Sequence, residues 1–250
     1  MEEIKTSQKN NSPWVIAGGI VLAAAILAGA YVYSLGAKSI SKNGNSTQED
    51  PITAKGLQKG SAPLKGSPNA PATIVEFGDF QCVACVQYFS VIEPEIYKRF
   101  IETGQANGVF KTLTFIDSYA GKNGAGESYL AGLAGQCAAD QGKFWQIHDA
   151  IYGAEAKELQ SQKEQENSGN LTKEFIFSVA RDNGIDMKQF SACIDGEKHR
   201  GTLEGYMNDA QKAMGRQIAT PSVFIVKDGI ATKLQNPFDI KEYEAIINTN

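Results

Sequence analysis

Two of the chain's four cysteines, Cys82 and Cys85, lie two residues apart in the segment FGDFQCVACVQYF, directly after an apolar run. Such a pair can be half of a zinc site, a short structural disulfide, a Cu(I) site or a reactive dithiol. At a helix N-terminus, free N–H groups and the helix dipole would favour the thiolate of Cys82, the form that attacks disulfides. Cys85, one turn further along, would be more shielded and would resolve a mixed disulfide.

The other cysteines and histidines argue against a zinc site. Structural zinc needs four ligands, usually supplied as two close pairs, whereas Cys137 and Cys193 are isolated and the only histidines are His148 and His199. A disulfide that closes so short a loop stabilises little, so the pattern favours redox chemistry. We predict no resident metal and no cofactor, with Cu(I) binding by the close cysteine pair as an alternative.

Two further features agree with redox chemistry. Glu76 lies in the apolar strand ATIVEF, where a buried carboxylate could accept and return a proton for Cys85; an outward-facing strand residue is the alternative. Thr220-Pro221 precedes the apolar run VFIV. Proline there marks a strand start, an edge strand or a cis turn.

Hydrophobic periodicity predicts the elements that would position these residues. Their order is strand, helix, strand, a helical block, a hairpin and a last helix. The predicted strands are 72–77, 109–116, 223–226 and 230–234. The predicted helices are 82–103 with a kink at Pro94, 127–140, 144–152, 173–183, 186–194, 199–214 and 239–248. The polar residues 154–170 are expected to form a loop or a frayed helix end.

The N-terminal region predicts a membrane anchor. Residues 14–36 contain no charged side chain, and about 20 apolar residues suffice to cross a bilayer. We expect a cytoplasmic tail at 1–13, a transmembrane signal-anchor helix at 14–36, a flexible Gly-, Ser- and Pro-rich linker at 37–70 and a folded domain at 71–250. A cleaved signal peptide is the alternative, because Ala28-Gly29-Ala30 resembles a cleavage site.

Composition limits the classes of function. The 250 residues are 42% hydrophobic and carry a formal net charge of −4. This is ordinary globular composition for one sizeable domain. It has no excess of basic residues for nucleic acid, so we expect no nucleic-acid partner.

Together these residues resemble the thioredoxin superfamily, specifically its membrane-anchored DsbA-like branch. The resemblance covers residues 66–250 through four motifs in order: GSPNAPATIVEFGDFQCVAC, QCAADQGKFWQIHDAIY, FSACIDGEKH and ATPSVFIVKDG. It implies an α/β thioredoxin fold with an inserted helical domain at about 118–218, preceded by a single transmembrane helix.

The resemblance also implies roles for individual residues. Cys82 would be the attacking thiol, Cys85 the resolving thiol and Glu76 the buried acid. Pro221 would be the family's cis-proline, and Thr220 before it would touch the active sulfurs and the bound peptide.

Three other matches are read as structural. Phe144, Trp145 and His148 match a helix of the family and are interpreted as packing residues. Some DsbA-like relatives carry a second disulfide at places such as Cys137 and Cys193. Burial as free thiols is the alternative, but the even cysteine count and an oxidising compartment favour the bond.

The implied function is extracytoplasmic thiol:disulfide exchange through Cys82–Cys85 that introduces disulfides into reduced, unfolded secreted proteins. A quinone-linked membrane oxidase of the DsbB or vitamin K epoxide reductase type would reoxidise the pair. The protein would be a single-pass cell-membrane protein with its catalytic domain outside the cytoplasm.

Between the cysteines stand Val83 and Ala84, where the family usually has proline and often an aromatic residue or histidine. Alternatives are a reductase or isomerase of the same fold, a peptide-holding chaperone and a Cu(I)-binding module.

Overall fold

A computed structural model describes residues 56–122, 124–161, 163 and 166–249. The predicted cytoplasmic tail, 1–13, and transmembrane helix, 14–36, lie outside this part. Within the described ranges, no helix is both long enough and apolar enough to cross a membrane.

The centre of the fold is a mixed sheet of five strands in the order β1-β3-β2-β4-β5. The strands are β1 Leu64–Lys65, β2 Ala72–Gly78, β3 Ala106–Thr112, β4 Ser222–Lys227 and β5 Ile230–Lys233. β2 and β3 run parallel, and the other neighbouring strands run antiparallel. Side chains alternate along β2. Val75 and Phe77 therefore join one buried cluster, and Ile74 joins the other.

Helices follow β2, fill the connection between β3 and β4, and close the described chain. After β2 come α1 Val83–Val91, α2 Glu93–Ile96 and a π-helical turn, Tyr97–Ile101. The later helices are α3 Ile116–Tyr119, α4 Glu127–Ala139, α5 Phe144–Gln160, α6 Lys173–Asp182, α7 Met187–Asp195, α8 Arg200–Met214 and α9 Ile240–Ile247. Strand order and the helices between β3 and β4 agree with the expected thioredoxin-like α/β fold.

The predicted helix 82–103 with a kink at Pro94 is divided into three helical segments in the structure, and the break lies at Ile92. α1 ends at Val91, Ile92 separates the two helices, and Pro94 lies in the first turn of α2. Proline is tolerated there because first-turn N–H groups have no partner within the helix. The chain then widens into the π-helical turn, and Gly104 turns it towards β3 with a φ of 76°.

Two further boundaries differ from the prediction. The polar segment 154–170 was expected to be a loop or a frayed helix end, and α5 continues through Gln160, because the run AEAKELQ consists of good helix formers. β3 begins at Ala106 because it pairs with β2 along its whole length, from Ala72 opposite Ala106 to Gly78 opposite Thr112.

The predicted linker 37–70 also extends too far along the chain. Of its residues, 56–70 are described, and they belong to the folded domain. Leu57 and Ala62 are buried in the core, and β1 pairs with β3 at the sheet edge. The indole N–H of Trp145 on α5 donates to the carbonyl of Leu64 at 2.9 Å, which fixes this strand.

A disulfide joins two helices of the insertion. Cys137 on α4 and Cys193 on α7 are bonded, with their Cα atoms 5.9 Å apart and 56 residues of sequence separation. His199 lies beside them, with its ring nitrogen and the two sulfurs within 4.8 Å of one another. Because both sulfurs are used by the disulfide, this pair is separate from the free thiols Cys82 and Cys85.

Removal of this cross-link should destabilise the domain. Cys137→Ala with Cys193→Ala is expected to lower the free energy of unfolding by about 2–4 kcal/mol, since a bond across a long loop restricts the unfolded chain. Urea denaturation of the full-length chain, followed by circular dichroism in a Cys82→Ser, Cys85→Ser background, measures the difference. A change below about 0.5 kcal/mol, the range of neutral surface substitutions, would contradict this role.

Candidate active site

The two free thiols lie at the start of α1, shortly after the end of β2. Cys82 is the N-cap residue of α1, with φ −70° and ψ 118°, and Cys85 follows in its first turn. Both are buried: Cys82 is 7% exposed and Cys85 1% exposed. The sulfur nearer the helix start is therefore the one that solvent and a partner can reach.

The loop before β4 packs against Cys82. The Thr220–Pro221 peptide bond is cis, and the Cys82 thiol donates to the backbone carbonyl of Thr220 at 3.4 Å. The structure thus brings together Thr220 and Cys82, which are 138 residues apart in sequence. β4 begins directly afterwards at Ser222, so the proline occupies a strand start, where a missing N–H breaks no ladder bond.

The two sulfurs differ in acidity. The pKa of Cys82 is lowered to about 6, first because the Cys85 thiol donates to it, and further by the Thr220 hydroxyl and the N–H groups of Cys85 and Ala84; burial opposes this. The pKa of Cys85 is raised well above its usual value, chiefly by burial and then by its bond to Cys82. Near neutral pH the reduced pair therefore holds a thiolate at Cys82 and a thiol at Cys85.

Glu76 is a buried carboxyl on β2, 8% exposed. Its pKa is raised well above the usual value by burial, then by the neighbouring charges of Glu93 and Cys82. Its Oε1 has no hydrogen-bond partner. Gly78 leaves the room beside it, because a Cβ there would lie 2.7 Å from the Phe110 ring and 3.1 Å from Glu76 Oε1. Burial thus favours the protonated form of this acid near the dithiol.

A buried polar network supports the turn before Cys82. Asp79 is fully buried and accepts from Gln81 N at 3.1 Å, Ser128 Oγ at 2.6 Å and Ile116 N at 3.2 Å. Burial nevertheless raises its pKa to about 7, because desolvation outweighs these bonds. The Cys82 N–H donates to the Asp79 carbonyl at 3.0 Å, so the network holds the backbone of the redox turn.

Gln81 joins this turn to the insertion. Its side-chain amide donates to Asp117 at 2.8 Å and Ser128 at 2.7 Å, and its oxygen accepts from Asn167 N at 2.5 Å. Asp117 also accepts from the N–H groups of Ser128 and Tyr129 at the start of α4, at 3.0 and 2.9 Å. A carboxylate at a helix N-terminus stabilises that helix.

Known proteins share this sequence and architecture. A thioredoxin family model matches residues 58–249. The chain belongs to the thioredoxin family. Disulfide bond formation protein D of Bacillus subtilis is 30% identical over 203 residues, which cover 79% of this chain and 82% of that protein. The probable disulfide bond formation protein D of Bacillus anthracis is 27% identical over 164 residues, covering 64% and 67%.

Solved structures show the same fold. Oxidised BdbD from Bacillus subtilis superposes with a TM-score of 0.62 at 24% identity, covering 76% of this chain and 93% of that one. MdbA, a thiol-disulfide oxidoreductase from Corynebacterium diphtheriae, gives 0.58 at 23% identity, covering 74% and 89%. Within the thioredoxin family this chain is a DsbA-like protein thiol:disulfide oxidoreductase.

Sequence reasoning missed several residues of this thioredoxin-family site. Asp79 and Gln81 stand in the quoted cysteine motif, and two polar side chains between aromatic residues were a signal that they are held inside. Asp117 and Ser128 gave no local signal, because their partners in the cysteine motif, Asp79 and Gln81, lie 36 to 49 residues away.

His148 was interpreted as a packing residue, and the structure adds polar contacts to that packing. It is fully buried, and aromatic rings of five phenylalanine and tyrosine side chains and one tryptophan surround it: Phe80, Phe89, Phe110, Phe144, Trp145 and Tyr152. Its Nδ1 also lies 2.8 Å from Asp149 and its Nε2 3.9 Å from Glu93.

The acidity of Cys82 can be measured directly. In the reduced chain with Cys137–Cys193 left bonded, thiolate ultraviolet absorbance should titrate with a midpoint near pH 6. Cys85→Ala should raise that midpoint towards about 8.5, because the main donor is lost. Since the folded pKa is the lower one, thiolate stabilisation is full above the unfolded pKa and is lost as pH falls through 6. An unchanged midpoint in Cys85→Ala would contradict the assigned cause.

Removal of the Gln81 amide tests the buried network. Gln81→Ala should lower the free energy of unfolding by about 1–3 kcal/mol, because the acceptors on Asp117 and Ser128 and the Asn167 N–H lose a buried partner. Chemical denaturation gives the value. Gln87→Ala is the matched control, since Gln87 is exposed on α1. Equal stability of the two variants would show that the network contributes nothing.

Proposed function

We propose that the protein is an extracytoplasmic oxidant that introduces disulfides into reduced, unfolded secreted proteins through Cys82–Cys85. The observation that supports this direction is the unequal acidity of the two sulfurs. A pKa of about 6 for Cys82 stabilises the reduced pair at neutral pH, and a stabilised reduced form makes the disulfide a stronger oxidant. For comparison, the same cysteine has a pKa of about 7 in thioredoxin and about 3.5 in DsbA.

The exchange proceeds in two steps. A substrate thiolate attacks Cys82 of the oxidised pair, so that one disulfide forms, the Cys82–Cys85 bond breaks and Cys85 leaves. Its sulfur takes a proton, because burial disfavours the anion. A second substrate thiolate then attacks the substrate sulfur of the mixed disulfide, and Cys82 leaves as a thiolate. The substrate loses two electrons, and the pair gains them.

The second reading within the same enzyme class is a disulfide reductase or isomerase. It is favoured by Val83 and Ala84, whose side chains donate no hydrogen bond, so that the thiolate depends on Cys85, Thr220 and backbone groups. Because the chain is a thiol:disulfide oxidoreductase of the DsbA-like type, the oxidant and the reductase or isomerase are both favoured over the peptide-holding chaperone and the Cu(I) module. Metal analysis of the purified chain tests the latter.

The proposed location and partner follow from the same chemistry. Disulfides persist outside the cytoplasm, and the Cys137–Cys193 bond supports that placement. The apolar segment 14–36 would anchor the protein in the cell membrane with the domain outside. Net oxidation requires a reoxidising partner, for which we propose a quinone-linked membrane oxidase of the DsbB or vitamin K epoxide reductase type.

Reactivity and potential test the proposal together. Cys82→Ser should abolish oxidation of a reduced, unfolded substrate protein. Cys85→Ser cannot form the Cys82–Cys85 disulfide and should lose this activity too, but its Cys82 thiolate should attack a disulfide-containing substrate and accumulate the mixed disulfide, because Cys85 is not there to resolve it. Equilibration of the full-length chain with glutathione buffers gives the reduction potential. A value above roughly −150 mV would support the oxidant, and one near roughly −270 mV would favour the reductase or isomerase. Retained turnover in Cys82→Ser would refute the scheme.

A further inference from the structure

A small cavity lies beside the buried acid of the site. It has a volume of about 40 Å³ and is lined by Glu76 on β2, Glu93 on α2, Lys65 on β1 and the aromatic residues Tyr97 and Trp145, among others. A cavity needs about 10–15 Å³ to hold one water, together with polar partners. This volume is therefore sufficient for more than one water between the two carboxyl groups.

Three buried polar atoms around this region have no hydrogen-bond partner among the described residues. They are Glu76 Oε1, Glu93 Oε1 and His148 Nε2. Leaving such an atom unsatisfied costs about 1–3 kcal/mol, and bridging waters commonly satisfy buried groups that lack a protein partner. Glu76 and Glu93 both line the cavity, and Glu93 Oε1 lies 3.9 Å from His148 Nε2 on α5.

The far side of His148 is fixed by an aspartate. His148 Nδ1 lies 2.8 Å from Asp149 Oδ1. Partial burial raises the pKa of Asp149, but the hydrogen bond to His148 and the charges of His148 and Lys65 together outweigh it and keep the pKa lowered. An ionised carboxylate can only accept, so Nδ1 carries the hydrogen. Nε2 faces Glu93 at 3.9 Å, and it accepts a hydrogen bond when the ring is neutral and donates one when the ring is protonated.

Solvent reaches this series of groups at its outer end. Tyr97 is 44% exposed, and Asp149 forms an ion pair with Lys65 at 3.8 Å, with side chains 48% and 25% exposed. Tyr97 and Lys65 both line the cavity. The acid beside the buried thiol thus has a polar route to the surface through an otherwise apolar wall.

We propose that Glu93 and His148, with water in this cavity, form a proton relay that connects Glu76 to solvent during the redox cycle. The inference rests on the proposed exchange function and deepens it. Glu93 and His148 act through Glu76 and touch no reacting sulfur, so they are relay residues.

The relay is needed because of the charge balance of the reaction. When the Cys82–Cys85 bond breaks, the Cys85 thiolate takes the proton of Glu76. When Cys82 then leaves as a thiolate, an ionised Glu76 would stand beside a second anion, and Cys82 is one of the charges that raise the pKa of Glu76. Glu76 therefore takes up one proton from solvent through Glu93. On reoxidation, Cys85 must lose its proton, and the same route releases it.

The charged surroundings allow Glu93 to accept and release a proton. Burial raises its pKa, the charges of His148 and Lys65 lower it, and Asp149 raises it. The titratable groups that face it are Glu76, Tyr88, Tyr97, Lys65, His148 and Asp149. Burial favours the protonated form of Glu93, and the neighbouring positive charges favour the ionised form.

Three substitutions in the full-length chain test the relay. Glu93→Gln preserves shape but cannot transfer a proton, Glu93→Asp is shorter but can, and Glu95→Gln is a control on the same helix, where Glu95 pairs with exposed Arg99. The measurement is the turnover rate for oxidation of a dithiol peptide by glutathione disulfide, from acidic to alkaline pH in dilute buffer. Thermal unfolding of each variant accompanies it.

The relay predicts a particular order of rates. Glu93→Gln should be slower by about tenfold at alkaline pH, a fraction of the 10²–10⁴ that general acid–base catalysis supplies. The deficit should shrink at acidic pH, where hydronium reaches the cavity more often. Glu93→Asp should be faster than Glu93→Gln, although it fits the site less well.

The outcomes separate the relay from a packing role and from the proposed function. If Glu93→Asp is slower than Glu93→Gln, or if Glu93→Gln follows the parent at every pH, the relay is refuted. If the parent chain does not catalyse the exchange at all, the proposed function fails. A rate loss that follows a loss of thermal stability would assign Glu93 to packing alone.

Discussion

The unequal stabilisation of two neighbouring sulfur anions is the interaction on which the rest of this structure depends. Cys82 receives the Cys85 thiol, the Thr220 hydroxyl and backbone N–H groups, which together lower its pKa to about 6 against the opposing effect of burial. Cys85 is more deeply buried, and its pKa is raised. This difference between the two pKa values requires a helix N-terminus, the loop before β4 and an apolar wall to meet at one point. The thioredoxin fold brings these together from distant parts of the chain.

The Asp79 network is what keeps this point in place. It ties the backbone of the redox turn to α3 and α4 through Gln81, Ser128 and Asp117. Gly126 leaves room for the Asp117 carboxylate in this network, because a Cβ there would overlap it. The insertion therefore supports the turn that presents Cys82, and its own first long helix is capped by the same carboxylate.

The sequence was informative where local pattern decides the structure, and less so where distant pairing does. The cysteine motif, the apolar strand before it and the proline before β4 are local signals, and they placed Cys82, Glu76 and Pro221 near one another through the family resemblance. The start of β3 and the role of Lys65 depend on register with strands elsewhere. The partners of Asp79 and the contacts of His148 depend on side chains from α2, α4 and α5, which no window of sequence contains.

Asp79 and Glu76 are both buried acids with raised pKa values, and their surroundings separate their roles. Both oxygens of Asp79 accept hydrogen bonds from fixed donors, so proton transfer there would break the support of the turn. Glu76 keeps one oxygen free beside a cavity. A raised carboxyl pKa favours the fold at acidic pH, and that stabilisation is lost as pH rises through the folded value. Glu76 therefore weakens the domain as the pH rises, and unlike Asp79 it gives no hydrogen-bonded support in return, which agrees with a role in moving a proton.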